Sequence, residues 1–241
     1  MAPRVVLVTG STSGIGEATA LRFAAVGDTV VFNSAHSVQA GERLSAATAG
    51  SHYVQANIAD PEDRARLIGE VLERYGRLDV LVNNAGTTRL IPHADLEAAS
   101  LDVWREIFEV NVFGTWAVSV AAMGLLRESR GCIVNVSSVA GLRPIGSSIP
   151  YAASKAALNH VTIMLAKVVG PDVRVNAVAP GLIDTPWTAE WDAVRGFVRA
   201  HAPLKRTGTP DDVADVIVTL SSMPYVTGQV VAVDGGLTIA T

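Results

Sequence analysis

The sequence predicts a single-domain α/β protein, built on a doubly wound, mostly parallel sheet with helices on both faces. Three observations carry that expectation. Short β-branched runs alternate with helical patterns from end to end, as parallel strands joined by helical crossovers require. A glycine-rich turn follows the first run and opens the first helix. No linker, repeat or low-complexity stretch divides the 241 residues, so residues 1–241 are read as one domain.

The expected strands are Arg4–Val8, Thr29–Phe32, Ser51–Gln55, Asp79–Val82, Cys132–Val136, Arg174–Val178 and Val230–Val233. Between them, Gly14–Val26 reads as a helix that stops at Gly27. Pro61–Tyr75 puts Leu67, Ile68, Val71 and Leu72 on one face and ends at Gly76. Leu101–Leu126 and Tyr151–Val169 are longer helices and unusually apolar. Asp211–Ser221 starts after Pro210 with two acids in its first turn, where they meet the positive end of the helix dipole. Right-handed crossovers then place a ligand crevice at the carboxyl ends of the strands.

Composition narrows the function. The net charge is -4, and no basic run stands out, which argues against nucleic acid as a partner. The longest apolar run, Trp116–Leu126, is too short to span a bilayer, so no membrane is expected. Cys132 is the only cysteine, which excludes an intrachain disulfide and suits a reducing cytoplasm. The first strand begins so early that no room is left for a signal peptide.

The first strand runs into Thr9-Gly10-Ser11-Thr12-Ser13-Gly14-Ile15-Gly16. Glycines between a strand and a helix let the backbone approach a pyrophosphate, and the helix start offers it N–H groups and a positive dipole end. The spacing departs by one residue from the usual dinucleotide fingerprint, so alone it equally fits a bare tight turn.

With its companions the pattern resembles the short-chain dehydrogenase/reductase family, which implies a Rossmann-type fold. Thr-Gly-x-x-x-Gly-Ile-Gly matches the first fingerprint of that family, and Asn83-Asn84-Ala85-Gly86 the second. The resemblance implies that Asn84, Ala85 and Gly86 lie near the adenosine, and that Asn57 and Ile58 hold the adenine ring. Pro180-Gly181-Leu182-Ile183-Asp184-Thr185 matches the family's Pro-Gly segment, which assigns the Ile183 backbone and the Thr185 hydroxyl to the nicotinamide or pyrophosphate. Val233-Asp234-Gly235-Gly236 matches its last strand.

The reacting groups come next. Tyr151 and Lys155 are four apart at the start of a helix and share a face. Such a pair alone also describes a surface tyrosine packed on a lysine stem. Ser138, which follows the fifth strand, belongs on the same sheet edge. Reducing a ketone needs a hydride at carbon and a proton at oxygen. A phenol titrates near ~10, and a neighbouring ammonium is expected to lower that value. Ser138 would hold the substrate oxygen. Ser137 competes for this role, but side chains alternate along a strand, and the family's Asn-Val-Ser-Ser pattern selects Ser138. The resemblance adds that Lys155 grips the ribose hydroxyls and that Asn111 helps hold a relay water. No metal is expected.

In dinucleotide folds an acid at the end of the second strand binds the ribose hydroxyls of NAD. Here Ser34 takes that position, with His36 and Ser37 beyond it, so NADP(H) is favoured over NAD(H). No arginine stands nearby, and Ser13 sits where many NADP-dependent relatives carry one. The pocket is expected from Thr87–Ile91, Ala140–Pro150 and the Trp187/Trp191 region, with Arg89 and Arg143 as its charges. Leu182–Ala202 reads either as an amphipathic helix on the core or as a mobile substrate cap (185–205).

In length and motifs the chain most resembles 3-oxoacyl-acyl-carrier-protein reductases, which implies an acyl thioester substrate and a possible carrier protein, docked by Arg127 and Arg130. A small free ketone or alcohol is the alternative. A dinucleotide-sensing protein without catalysis is a further one, and would be expected to lack Tyr151, Lys155 or Ser138. The two long helices carry more apolar surface than one sheet face can cover, and the family pairs them, which implies a homotetramer.

Overall fold

The computed structural model describes residues 3–240. Seven strands form one parallel sheet: β1 (Val5–Val8), β2 (Thr29–Ser34), β3 (His52–Gln55), β4 (Val80–Asn83), β5 (Cys132–Val136), β6 (Arg174–Pro180) and β7 (Val230–Val233). Their spatial order is β3-β2-β1-β4-β5-β6-β7. The chain first winds outward through β2 and β3, then returns to pair β4 with β1, Val6 opposite Val80. That reversal opens a crevice between the carboxyl ends of β1 and β4.

Strand alternation sorts the core into two layers. Leu7, Val31, Leu81, Ile133 and Val175 point to one face, where they meet Leu67 and Val71 of α3 (Pro61–Tyr75) and Val118, Ala122 and Leu126 of α5 (Thr115–Ser129). Val6, Val8, Phe32, Val80, Val82 and Val134 point to the other, against Phe23 of α1 (Gly14–Ala25) and Val213 and Ile217 of α8 (Pro210–Ser222). Both faces are covered, which is why the strands read as continuous apolar runs.

Four differences from the sequence reading have physical causes. α2 (Val38–Ala47) was not foreseen, because its first half is polar and interrupted by Gly41. A β-carbon at Gly41 would sit 2.1 Å from the Tyr53 ring, so the glycine serves close helix–strand packing rather than a turn. The expected helix Leu101–Leu126 is three pieces: α4 (Leu101–Phe108), a π-helical segment Glu109–Gly114, and α5. The whole stretch Leu101–Ser129 is 29 residues long and apolar. It exceeds the Trp116–Leu126 run and matches a membrane span in length, but it lies along the sheet with Val118, Ala122 and Leu126 in the core. Third, α6 (Ile149–Val169) starts two residues earlier than expected, because the Ser148 hydroxyl accepts from the Tyr151 amide and caps it. Last, the stretch Leu182–Ala202 holds a helix, α7 (Asp192–His201), and a short helix, α9 (Leu237–Ala240), follows β7.

Candidate active site

The crevice is a cleft of about 970 Å³ at the carboxyl edge of the sheet. Hydrogen bonds between the loops after β1 and β4 build its floor. The buried Thr9 hydroxyl accepts from the amides of Asn84 and Ala85 at 3.0 and 3.1 Å. The Asn84 side chain donates back to the carbonyls of Thr9 and Gly10 at 3.0 and 2.9 Å. Asn33, at the end of β2, adds a third tie by accepting from the Gly10 amide at 3.3 Å.

The glycines then have distinct tasks. Gly10 has φ +62, and a β-carbon there would come within 2.9 Å of the Ala85 backbone. Gly14 has φ +56 and faces Thr185, whose methyl would lie 3.2 Å from an added β-carbon. Gly16 does not line the cleft; an added β-carbon would strike Asn84 Nδ2 and the Gly10 carbonyl at 2.4 Å. It lets α1 press against the two loops.

Most of the expected cofactor residues share this cleft. Gly10, Ser13, Gly14 and Ile15 line one part, Ser34 and His36 another, and Asn57, Ile58, Asn84, Ala85 and Gly86 a third. Pro180, Gly181, Ile183 and Thr185 close the wall after β6. Ser13 caps α1 without spending its hydroxyl, so the first-turn N–H groups of that helix remain for an anion. A glycine cradle beside an open helix start, with apolar Ile58 and Ala85 beyond it, fits a nicotinamide dinucleotide.

Ser138, Tyr151 and Lys155 line the same cleft. α6 is pinned to the loop after β5 in two places. Ser137 Oγ donates to the Lys155 carbonyl at 3.2 Å, and Asn159 Nδ2 donates to the Gly141 carbonyl at 3.1 Å. Ser137 is thus occupied by the helix backbone, and Ser138 interacts with the Tyr151 phenol. Ser138 Oγ also accepts from the Ala140 amide at 3.2 Å, which leaves its proton to donate.

Lys155 is only 4% exposed; its Nζ donates to the Val136 carbonyl at 2.9 Å and lies 5.7 Å from the centre of the Tyr151 ring. Burial pushes its pKa down to about 8. The expected lowering of the Tyr151 pKa is not what the protein alone produces. Burial holds the phenol above its usual 10, and the Ser138 hydroxyl offsets this only in part. Lys155 donates to the Val136 carbonyl, and burial is the larger influence on the phenol.

Asn111 does not line the cleft. It lies behind it, in the π-helical segment, and laces three elements together. Its Nδ2 donates to the Thr87 carbonyl and to Ser154 Oγ, both at 3.0 Å, and its Oδ1 accepts from the Thr87 amide at 2.8 Å. π-segments often mark functional positions, but neither length nor periodicity reveals one in a sequence. Thr9, Asn33 and Ser154 were missed for another reason: they touch other protein groups, and only the folded chain shows which.

Thr87, Thr88, Leu90, Ala140, Ile145, Gly146, Ser147, Trp187 and Trp191 line the cleft as the sequence suggested. Arg89 and Arg143 do not. Arg89 pairs with Glu106 at 2.9 Å, and Arg143 donates to the Thr238 carbonyl at 3.2 Å. Arg127 and Arg130 lie just before β5, at the opposite edge of the sheet from the cleft.

Fold and cleft define an oxidoreductase that works with a nicotinamide dinucleotide. Residues 10–238 match a family model described as enoyl-(acyl carrier protein) reductase. The chain is 56% identical over 236 residues to the protein of Streptomyces violaceoruber named "granaticin polyketide synthase putative ketoacyl reductase 2", covering 96% of this chain and 95% of that one. It is 39% identical to a 3-oxoacyl-acyl-carrier-protein reductase of Thermotoga maritima, with 98% of each chain covered. A solved short-chain dehydrogenase/reductase of Brucella melitensis superposes with a TM-score of 0.91 at 30% identity, covering 97% of this chain and 96% of that one. The chain belongs to the short-chain dehydrogenase/reductase family. It is an NAD(P)-dependent carbonyl reductase, and the fold class read from the sequence stands.

The buried lysine sets a pH limit. Below about 8, Lys155 is charged and can donate; above it, the ammonium is lost. In the direction of ketone reduction, kcat/KM is therefore expected to fall with unit slope as pH rises through about 8. A profile that stays flat to pH 9.5 would remove Lys155 from the proton path.

Proposed function

We propose that the protein reduces the ketone of a 3-oxoacyl thioester with NADPH, using Ser138, Tyr151, Lys155 and Asn111. The observation that carries this reading is the convergence of a serine hydroxyl, a phenol and a buried ammonium in one cleft with a glycine cradle. The dinucleotide, when bound, supplies the hydride to the carbonyl carbon. Ser138 Oγ donates to the carbonyl oxygen and orients it. Tyr151 passes its proton to that oxygen as negative charge develops there. The high phenol pKa suits this direction, since Tyr151 arrives protonated. Lys155 holds ribose hydroxyls and replaces the proton that Tyr151 gives up. Asn111 fixes the loop after β4 and, through Oδ1, helps hold a water that feeds Lys155.

The names of the relatives support an acyl thioester, and with it a carrier protein as donor. Arg127 and Arg130 can meet such a carrier only from a neighbouring subunit, because they lie across the sheet from their own cleft. That requirement agrees with a homotetramer. Phe113, Trp116 and Val120 near and on α5, with Ile163, Met164 and Val168 on α6, remain 47–66% exposed. Val118, Leu158 and Leu165 of the same helices are buried in their own core and take no part. A reducing cytoplasm suits the lone buried thiol of Cys132. Residues 185–205 act as the substrate cap.

The preference for NADPH rests on the end of β2. Ser34, Ala35, His36 and Ser37 line the cleft there without a carboxylate. No arginine lines it either, so the margin over NADH is modest. Ser34 bonds the Tyr53 hydroxyl at 2.9 Å, which offers a ready donor to a carboxylate placed at this position.

Three measurements test the proposal. Tyr151→Phe should lose at least about a thousandfold in kcat while binding cofactor as before, because it removes the acid and leaves the cradle. A Phe variant that keeps most of its rate on a panel of 3-oxoacyl thioesters and free ketones sinks the assignment. Ser34→Asp should lower kcat/KM with NADPH by more than about tenfold and reverse the cofactor preference. If the wild type already prefers NADH and the variant changes nothing, the reading of β2 is wrong. Light scattering at micromolar concentration should give four chains per particle; a monomer contradicts the apolar-face argument.

A further inference from the structure

We infer that Tyr53 is a positioning residue for NADPH: its phenol donates to Ser34 and so turns the Ser34 hydroxyl toward the 2′-phosphate of the cofactor. The inference rests on the NADPH reading above and adds a second residue to it. Ser34 ends β2, is 6% exposed and lines the cleft, whereas Tyr53 does not line it. Tyr53 lies opposite Phe32, on the neighbouring strand β3. Ser34 is two residues beyond Phe32 and so points to the same face, and the two hydroxyls come within 2.9 Å. Among the described residues the phenol bonds no other group, so its proton is available to Ser34.

The ring is held where it can do this. A β-carbon at Gly41 of α2 would lie 2.1 Å from Cε2 and 2.6 Å from Cζ of Tyr53, so the ring fills the space that the missing side chain leaves. Leu44 of the same helix and Tyr53 pack on the core layer that holds Phe32. A phenol wedged between strand and helix cannot swing away, and its hydroxyl stays beside Ser34. A phenylalanine would make the same apolar contacts, so packing does not account for the hydroxyl. Proton counting gives the hydroxyl pair its direction. Two bonded hydroxyls share one proton and leave one to point elsewhere. A phosphate offers acceptor oxygens. With a 2′-phosphate at the end of β2, Ser34 must donate outward, and Tyr53 must then donate to Ser34. Each bond polarises the next, and the one to the anion is charge-assisted. The ribose hydroxyl of NADH both donates and accepts, so either direction of the pair serves it and Tyr53 adds little. No arginine lines the cleft to override this effect.

The test is Tyr53→Phe, read by binding rather than turnover. Nicotinamide fluorescence gives Kd for NADPH and NADH. Calorimetry gives Kd for adenosine 2′,5′-bisphosphate and adenosine 5′-monophosphate, which differ only in the 2′-phosphate. Tyr53→Phe should weaken NADPH and the bisphosphate about fivefold, the size of one hydrogen bond, and change NADH and the monophosphate by less than about twofold. In a Ser34→Ala background the same substitution should have no further effect, because the phenol acts through Ser34. Equal losses on all four ligands, an unchanged NADPH-to-NADH ratio, or full additivity with Ser34→Ala would each overturn the inference. The NADPH reading survives any of these so long as the wild type binds NADPH more tightly than NADH. A wild type that binds the bisphosphate no better than the monophosphate would sink that reading, and the role of Tyr53 with it.

Discussion

The cleft depends on the bonds between Thr9 and the Asn84-Ala85 backbone. β1 and β4 are neighbours in space but 74 residues apart at the point where they meet, Val8 against Val82 having been brought together by the reversal of winding. At that reversal both strands end in loops that must turn away from each other to leave room for a ligand. Their amides and carbonyls would then be buried without partners, which costs more than a typical hydrogen bond returns. The Thr9 hydroxyl and the Asn84 amide satisfy four of these groups at once. The glycines are required by the same arrangement, because any side chain at Gly10 or Gly16 would occupy the space these bonds span. The cleft is thus shaped by hydrogen bonds that protein groups make to one another.

The reacting end rests on the opposite choice, a charge deliberately kept from water. A lysine that is 4% exposed gains one hydrogen bond, to Val136, and has two N–H donors left over. Such a group is poorly satisfied until something in the cleft accepts from it. The lowered pKa of Lys155 and the raised pKa of Tyr151 have the same cause, burial that disfavours charge. Burial moves them apart, Lys155 to about 8 and Tyr151 above 10, so the return of a proton from the Lys155 ammonium to a Tyr151 phenolate runs downhill.

Much of this was legible in the sequence, and what was not divides by physical cause. The strands were readable because a sheet covered on both faces leaves continuous β-branched runs, and β5 and β7 fall at the expected residues. Glycine motifs were readable because backbone approach needs glycine whatever the remaining context. At Gly41 the same need was silent in the sequence, because only the fold shows the Tyr53 ring 2.1 Å from where a β-carbon would sit. The π-segment at Glu109–Gly114 leaves the residue types of an ordinary helix unchanged. The charges of Arg89 and Arg143 were misplaced because a sequence shows a guanidinium but not its partner, here Glu106 and the Thr238 carbonyl. The phenol pKa was misjudged because the spacing of Tyr151 and Lys155 shows the ammonium but not the burial that raises the phenol.

A chain of buried amides and hydroxyls explains why the catalytic helix sits where it does. Asn83 Nδ2 donates to Ser119 Oγ at 3.0 Å and to Asn135 Oδ1 at 2.9 Å, and Asn135 Nδ2 donates to Thr162 Oγ1 at 2.8 Å. These four residues join β4 and α5 to β5 and α6 through the apolar layer. A helix packed on a sheet by apolar contacts alone can slide with little penalty, since one branched side chain replaces another. Sliding α6 here would strand Asn135 and Thr162 without partners in a dry interior. The register of α6 on β5 is thereby fixed, and with it the separation of Ser138 from Tyr151 and Lys155. Asn111 does the same on the other side, holding Ser154 of α6 to the loop after β4. Asn83, Ser119, Asn135 and Thr162, none of which lines the cleft, therefore help determine its geometry, and the apolar core supplies the bulk of the stability around them.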